Sequence, residues 1–463
     1  MKKFILVAFC PLLVCYSLAQ TVNQKLQKAF KQFENDTQLK HAISSLYVID
    51  AKTGKVVFGK NSQVGLAPAS TQKIITSVTA FELLGKDYRY KTELGYDGKI
   101  VNEILEGNLY LLGTGDPTLG SWRWTSTNDT VLLNQWLTDV KKKGIKKVNG
   151  TVLFNWSRFS YQSIPDGWIW QDLGNYYGAG AEVLNWKENQ REIILKSGNT
   201  VGSKVNVVSP GFDFVNEMKT EKESSGDNAY VYLPLRSKNA VINGTIPVNE
   251  SGFKISASDS DPIKSILLDL GWFLKGNSIN IEPGDTHYSN FLNSVFDRKV
   301  NVIGTHYSPS LDSIIYWFHK KSINLYGEAL IKTIAYEKNG FGSTDSGLAI
   351  LKKFWKQKAI DEDELNISDG SGLSPQNRVT THAQVEILKY AKARDWFPSF
   401  YNSLPEYNGM KIKSGTIKDV KGFCGYHTAK DGTEYIFSFL VNNYNGSASG
   451  LVNKMYKVLD VLK

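Results

Sequence analysis

The stretch Ala67-Pro68-Ala69-Ser70-Thr71-Gln72-Lys73 decides how this chain is read. Beyond it Ile74, Ile75, Val78 and Phe81 recur at helical spacing and Gly85 offers a stop, so the pattern predicts a helix that begins at the serine. A serine in that place has the positive end of the helix beside it, and Lys73, three residues on, shares its face and reaches the hydroxyl. A lysine amine whose pKa is lowered by desolvation or by a neighbouring cation can take the serine proton, which makes the pair a nucleophile and its base. The same S-x-x-K spacing recurs at Ser251-Gly252-Phe253-Lys254, but the glycine and the residues after it suit a loop or strand and not a helix start.

Working outward, residues 46–49 and 56–58 are β-branched and aromatic runs around Lys52-Thr53-Gly54-Lys55, a hairpin pattern. Far downstream, residues 410–413 and 423–429 read as strands, and 435–441 returns across Asp431-Gly432, so the natural sheet is antiparallel. Leu451, Val452, Met455, Val458, Leu459 and Leu462 fall on one face of a closing helix that packs on that sheet. Between these ends, residues 96–295 have another character. They carry a short strand at 108–112, a helix at 131–143 stopped by Gly144, and a helix opened by Asp261-Pro262 and closed by Gly276. Residues 211–228, rich in Lys, Glu, Ser and Gly, read as a surface loop. The fold class expected is therefore α/β, of the α+β kind.

A chain of 463 residues with 41% apolar and 21% charged residues holds a sizeable core and is long enough for about three domains. Its net charge of +9 is dispersed, which argues against nucleic acid as a partner. Residues 1–19 have the make-up of an export signal: Lys2 and Lys3, then an apolar stretch too short to span a membrane, then Ser17-Leu18-Ala19. A mature chain from Gln20 is expected to be soluble, with no later run long enough for a membrane segment. Cys10 and Cys15 leave with the signal, so Cys424 remains alone and neither a disulfide framework nor a cysteine metal site is expected. No H-x-x-x-H or Cys-His cluster offers a metal site, and no G-x-S-x-G elbow accompanies any histidine. No cofactor is expected.

Order along the chain supplies the rest. S-x-x-K, S-x-N and K-T/S-G occur in that order in serine β-lactamases and penicillin-binding proteins. S-x-N occurs at Ser126, Ser197, Ser237, Ser278 and Ser322. Only Ser322-Ile323-Asn324 sits between two apolar helical runs, 311–318 and 325–335, where a short turn can aim two polar side chains into a cleft. For the third element, Lys52-Thr53-Gly54 precedes the nucleophile and Lys196-Ser197-Gly198 precedes Ser322, which leaves Lys413-Ser414-Gly415-Thr416 at a strand.

These motifs, with Gly113-Thr114-Gly115-Asp116-Pro117-Thr118-Leu119 and Asp369-Gly370-Ser371-Gly372-Leu373-Ser374, resemble the type-4 penicillin-binding proteins, the D-alanyl-D-alanine carboxypeptidases and endopeptidases of low molecular mass. The resemblance implies a penicillin-binding, serine β-lactamase-like domain from residues 20–95 and 296–463, an antiparallel sheet flanked by helices. A large β-rich insert at 96–295, a single domain or one nested in another, interrupts it. The separation of about 250 residues between Ser70 and Ser322 agrees, since it exceeds an ordinary domain.

By the same resemblance Ser70 attacks the carbonyl between two D-alanines, Lys73 is its base, and Ser322 passes the proton to the leaving amine. Asn324 holds Lys73 or the substrate amide. Lys413 supplies fixed positive charge for the terminal carboxylate, aided by the Ser414 and Thr416 hydroxyls, with Gly415 between them. The amides of Ser70 and Thr416 form the oxyanion hole. The implied partners are peptidoglycan stem peptides and β-lactams, in the periplasm or cell envelope; a homo-oligomer stays open. One departure concerns Asn155-Trp156-Ser157-Arg158-Phe159, where relatives often carry an acid at the first position that meets the free amine of a diamino acid. Asn155 is neutral. Two other readings share the motifs: a β-lactamase, against which the large insert argues, and a non-catalytic wall-binding protein, which need not keep Ser70, Lys73, Ser322 and Lys413 together. Whether trimming or cutting cross-links dominates is not decided by the sequence.

Overall fold

The strand Ile43–Asp50 divides its side chains between two cores, Leu46 and Val48 on one side and Tyr47 and Ile49 on the other. The computed structural model describes residues 20–155, 157–209, 212–282 and 299–463; the expected export signal, with Cys10 and Cys15, lies outside them. Strand Ile43–Asp50 pairs with Val56–Lys60 through the expected hairpin and, on its other edge, with Glu434–Asn442 from the far end of the chain. Leu46 stands opposite Phe439 and Val48 opposite Phe437. Val420–Thr428, Met410–Ile417 and Glu406–Tyr407 extend this to six antiparallel strands.

One face of the sheet is covered by helices Val22–Glu34 and Ala448–Leu459. The first starts where it does because Thr21 and Gln24 cap each other's backbone amides. Its Leu26, Phe30 and Phe33 recur at helical spacing and meet Phe58 and Phe439, each such side chain contributing about 1.5–3 kcal/mol by burial. The opposite face carries helix Lys73–Leu84, in which every residue from Lys73 to Phe81 is buried. Helices Leu311–Lys320, Asn324–Asn339, Thr344–Lys356 and Thr381–Lys392 share its core. Apolar Ile74, Ile75 and Val78 account for most of that burial, and Gly85 ends the helix at φ +85°, as its sequence suggests.

The region between builds on a second sheet, Asn301–Tyr307, Lys91–Tyr96, Leu109–Leu112 and Val152–Phe154, whose first two strands come from the flanking segments expected at 20–95 and 296–463. Helices Asp129–Lys142 and Pro262–Gly276 pack with it through Trp136, Leu270 and their neighbours. A separate apolar cluster, from Ile193 to Ala257, fills a set of short strands within this region. Here the surface-loop expectation for 211–228 holds for the largely exposed residues 222–228 and is corrected for 213–221, while Gly211 lies outside the described residues. Asp213–Asn216 and Lys219–Glu221 are strands, paired in parallel with Asn239–Asn243 and Thr245–Pro247. Alternating Met218 and Thr220, both buried, anchor the second, a period-two signal masked by its charged neighbours. Ser251-Gly252-Phe253-Lys254 runs into strand Phe253–Ser258, so that serine does not open a helix.

Candidate active site

Ser70 is reached through a residue in an unusual conformation. Ala69 is fully buried with φ +46°, in the left-handed region that costs an L-residue about 1–3 kcal/mol. The chain turns there into the single 3₁₀ turn Ala69–Gln72 and then into helix Lys73–Leu84. Gly372 packs against the same turn; a Cβ there would lie 1.9 Å from the Ala69 carbonyl oxygen. Thr71 Oγ1 donates to the Pro68 carbonyl (2.7 Å) and accepts from Gln384 Nε2 (2.9 Å), which pins the residue after the serine.

Lys73 is completely buried and its ammonium position is fully used. Nζ donates to Ser70 Oγ at 3.0 Å, to Asn324 Oδ1 at 2.6 Å and to the Ser371 carbonyl at 2.8 Å. All three acceptors are uncharged. Burial pushes this amine well below the usual lysine range, and the Lys413 cation pushes the same way against the pull of Asp369. The positive end of the helix that Lys73 opens disfavours the ammonium further. As the free amine, Nζ has two hydrogens for Asn324 Oδ1 and the Ser371 carbonyl and a lone pair left to accept from the Ser70 hydroxyl, which is the arrangement a base needs.

Asn324 opens helix Asn324–Asn339 directly after Ser322, and Ser322 sits in the left-handed region at φ +55°. This is the short interhelical turn that the flanking apolar runs predict. Ser322 Oγ accepts from Lys413 Nζ at 2.9 Å, and the Ser414 carbonyl accepts from the same amine at 2.8 Å. Lys413 is buried with no carboxylate within ion-pair distance among the described residues, so burial pulls its amine down to about 7 and the Lys421 cation adds to that. The charge expected to be fixed thus titrates near neutrality. Gly415 brings strand Met410–Ile417 against the nucleophile: a Cβ there would lie 2.6 Å from the Pro68 carbonyl oxygen and 2.9 Å from Ser70 N. Thr416 follows, exposed, its Oγ1 accepting from Lys421 Nζ at 2.7 Å. The structure thus brings Ser70, Lys73, Ser322, Asn324, Lys413 and Gly415 into one site, with Ser414 and Thr416 on the adjoining strand.

A cleft of about 910 Å³ opens on this site. Ser70, Ser322, Asn324 and Thr416 line one side, and Arg123, Asp172, Tyr176, Tyr177 and Tyr230 come from the region between the motifs. Burial raises the Asp172 carboxyl to about 6. Arg123 is neutralised by Glu188, whose Oε1 and Oε2 it meets at 2.6 and 3.0 Å. No described histidine lines the cleft. Neither does Asn155, whose Oδ1 accepts from Ser157 N in a local turn.

Further groups at the site come from outside the three short motifs, some of them from the string Asp369 to Ser374. The Tyr177 carbonyl accepts from Asn324 Nδ2 at 2.8 Å, which leaves Oδ1 for Lys73. Asp369 gathers Gln72 Nε2, Asn377 Nδ2, Trp168 Nε1 and the amides of Gly372 and Ser374, all within 3.0 Å. The loop 369–374 is thereby fixed so that its Ser371 carbonyl faces Lys73. The string beginning at Gly113 acts elsewhere. Asp116 accepts from Thr118, Asn185 donates to the carbonyls of Gly115 and Asp116, and none of its residues lines the cleft.

Comparison with known proteins places this geometry. Residues 25–406 match the model of the D-Ala-D-Ala carboxypeptidase 3 (S13) family, a span that holds the first two motifs and stops short of Lys413. A D-alanyl-D-alanine carboxypeptidase of Actinomadura sp. (strain R39) is 25% identical over 443 residues, covering 89% of this chain and 80% of that protein. Penicillin binding protein 4 (dacB) of Haemophilus influenzae superposes with a TM-score of 0.78 at 20% identity, over 95% of this chain and 99% of that one. Its complex with a β-lactam superposes at 0.73 with 19% identity, over 94% and 98%.

Proposed function

The chain belongs to the D-Ala-D-Ala carboxypeptidase 3 (S13) family, and from that membership we propose that it cuts peptidoglycan stem peptides through an acyl-enzyme on Ser70. It is a serine-type D-alanyl-D-alanine carboxypeptidase. The observation that carries the residue assignment is the 3.0 Å contact between Ser70 Oγ and the buried amine of Lys73, which burial and Lys413 push well below the usual lysine range.

In this reading Lys73 takes the Ser70 proton as Oγ attacks the carbonyl between the two D-alanines. The oxyanion forms where the strand at Gly415 and Thr416 closes on the Ser70 amide, and an amide pair there contributes about 3 kcal/mol per donor to the transition state. The leaving D-alanine amine takes the Ser322 hydroxyl proton, with Ser322 held by Lys413, and Ser322 is reprotonated at the expense of the proton Lys73 took from Ser70, which returns Lys73 to the free amine for the attack of water. Water then releases the acyl group. The terminal carboxylate meets Lys413 and the Ser414–Thr416 strand, and its arrival restores the full charge on Lys413.

β-Lactams acylate the same serine, because a strained amide and a carboxylate present the same two groups. The β-lactam complex of the Haemophilus influenzae protein, which has this fold, supports that extension. The cleft of about 910 Å³ leaves room for more than a terminal dipeptide, so the reading extends to cleavage of cross-links beside terminal trimming. Export to the cell envelope rests on residues 1–19; among the described residues no helix is long and apolar enough to cross a membrane. Digestion of purified cross-linked peptidoglycan tests the reading. Loss of terminal D-alanine and conversion of dimeric to monomeric muropeptides are expected from the wild type and not from Ser70→Ala, and an unchanged muropeptide profile with the wild type contradicts it.

A further inference from the structure

Glu328 lies one turn beyond Asn324 on helix Asn324–Asn339, completely buried. Its Oε2 accepts the Gly370 amide at 3.0 Å, and its Oε1 has no hydrogen-bond partner among the described residues. Gly327, just before it, is packed so tightly on Gly370 that a Cβ at 370 would lie 2.3 Å from the Gly327 carbonyl oxygen. Gly370 is in turn held by Thr76 Oγ1, which donates to its carbonyl at 2.6 Å, and its neighbour Ser371 supplies the carbonyl that accepts from Lys73.

The charged groups facing Glu328 are Asp369 on the loop, Lys73 on the central helix and Lys332 on its own helix, while the Ser371 hydroxyl faces it without completing a hydrogen bond to Oε1. Lys332 is committed elsewhere, donating to the carbonyls of Gln162 and Ala181. A buried carboxyl group with no ion pair and a second carboxylate nearby favours its neutral form: burial and Asp369 raise this one to about 8, outweighing the Gly370 amide, the Ser371 hydroxyl and Lys73, which pull it down.

We infer that Glu328 is a positioning residue for the base: as a neutral acid it anchors Gly370, and so keeps the Ser371 carbonyl on Lys73, without supplying an anion that would hold Lys73 protonated. The inference rests on the reading of Lys73 as the base. It explains why the site tolerates a carboxyl group so near an amine that must be free. The proton that an ion pair would place on Lys73 stays on Glu328.

The pH dependence of kcat/KM on a D-Ala-D-Ala peptide tests this in Glu328→Gln, Glu328→Ala and Lys73→Met. The carboxamide of Glu328→Gln can still accept the Gly370 amide and carries no charge. Its kcat should therefore stay within about threefold of wild type, with the acidic limb of the profile in the same place. Glu328→Ala should lose about tenfold in kcat, rescued by the Gln variant. An acidic limb moved down by a pH unit or more in Glu328→Gln means that an anion had been removed, and overturns the inference while leaving the base assignment standing. Wild-type kcat in Glu328→Ala also overturns it. An active Lys73→Met overturns the base assignment and the inference together.

Discussion

The backbone carbonyl of Tyr177 accepts a 2.8 Å hydrogen bond from Asn324 Nδ2, across 147 residues of sequence. That bond orients the amide, so that its oxygen, and not its nitrogen, faces Lys73 at 2.6 Å. The region inserted between the first two motifs thereby takes part in setting up the base.

Replacing Asn324 by Asp tests this orientation. A carboxylate there is repelled by the Tyr177 carbonyl and stabilises the Lys73 ammonium. Since Lys73 acts as the free amine, whose fraction grows as pH rises through its lowered pKa, the acidic limb of kcat/KM should move up by about one pH unit or more. A pH-rate profile checks it; an unmoved limb separates Asn324 from the base.

Lys413 should bind its anion with proton uptake. Its amine is pulled down to about 7, so at pH 8 it is mostly neutral, and a bound carboxylate raises it again. Calorimetry of a carboxylate ligand in two buffers of different ionisation enthalpy should report uptake approaching one proton at pH 8, much less at pH 6, and none in Lys413→Ala.

The same lysine should couple to the substrate terminus. Lys413→Ala is expected to lower acylation about ten- to a hundred-fold, the worth of a charge-assisted contact. Amidating the substrate's C-terminus should cause most of that loss in the wild type and add little in the variant. Losses that simply add would remove Lys413 from the carboxylate site.

Asp369 should matter for stability before it matters for rate. Its carboxylate satisfies five donors, four of them on residues that are themselves buried. Asp369→Ala strands them at a cost of about 3–5 kcal/mol. Denaturant unfolding measures this, and a loss below about 1 kcal/mol contradicts the account of the loop.

Much of the catalytic sheet and its motifs could be read from the chain because each is local. The strands are β-branched runs, Ser70 sits in the 3₁₀ turn that leads into an apolar helix beginning at Lys73, three residues later than the spacing predicts, and Ser322 sits in the gap between two helices. What could not be read depends on backbone atoms brought together over long separations. Neither the Tyr177 carbonyl nor the Ser371 carbonyl has a residue signature, since any residue carries one. The lowered pKa of Lys413 has a related origin: its sequence neighbours say nothing of the burial without a nearby carboxylate that pulls its amine down to about 7. At 211–228 the charged side chains hid an alternation that only Met218 and Thr220 mark.

The central claim is that Ser70 carries the acyl group. Labelled penicillin, followed by digestion and mass mapping of the adduct, tests it most directly. The account predicts one adduct, on the peptide that contains Ser70, absent from Ser70→Ala. An adduct on Ser251 or Ser322, or one that persists in Ser70→Ala, would contradict it.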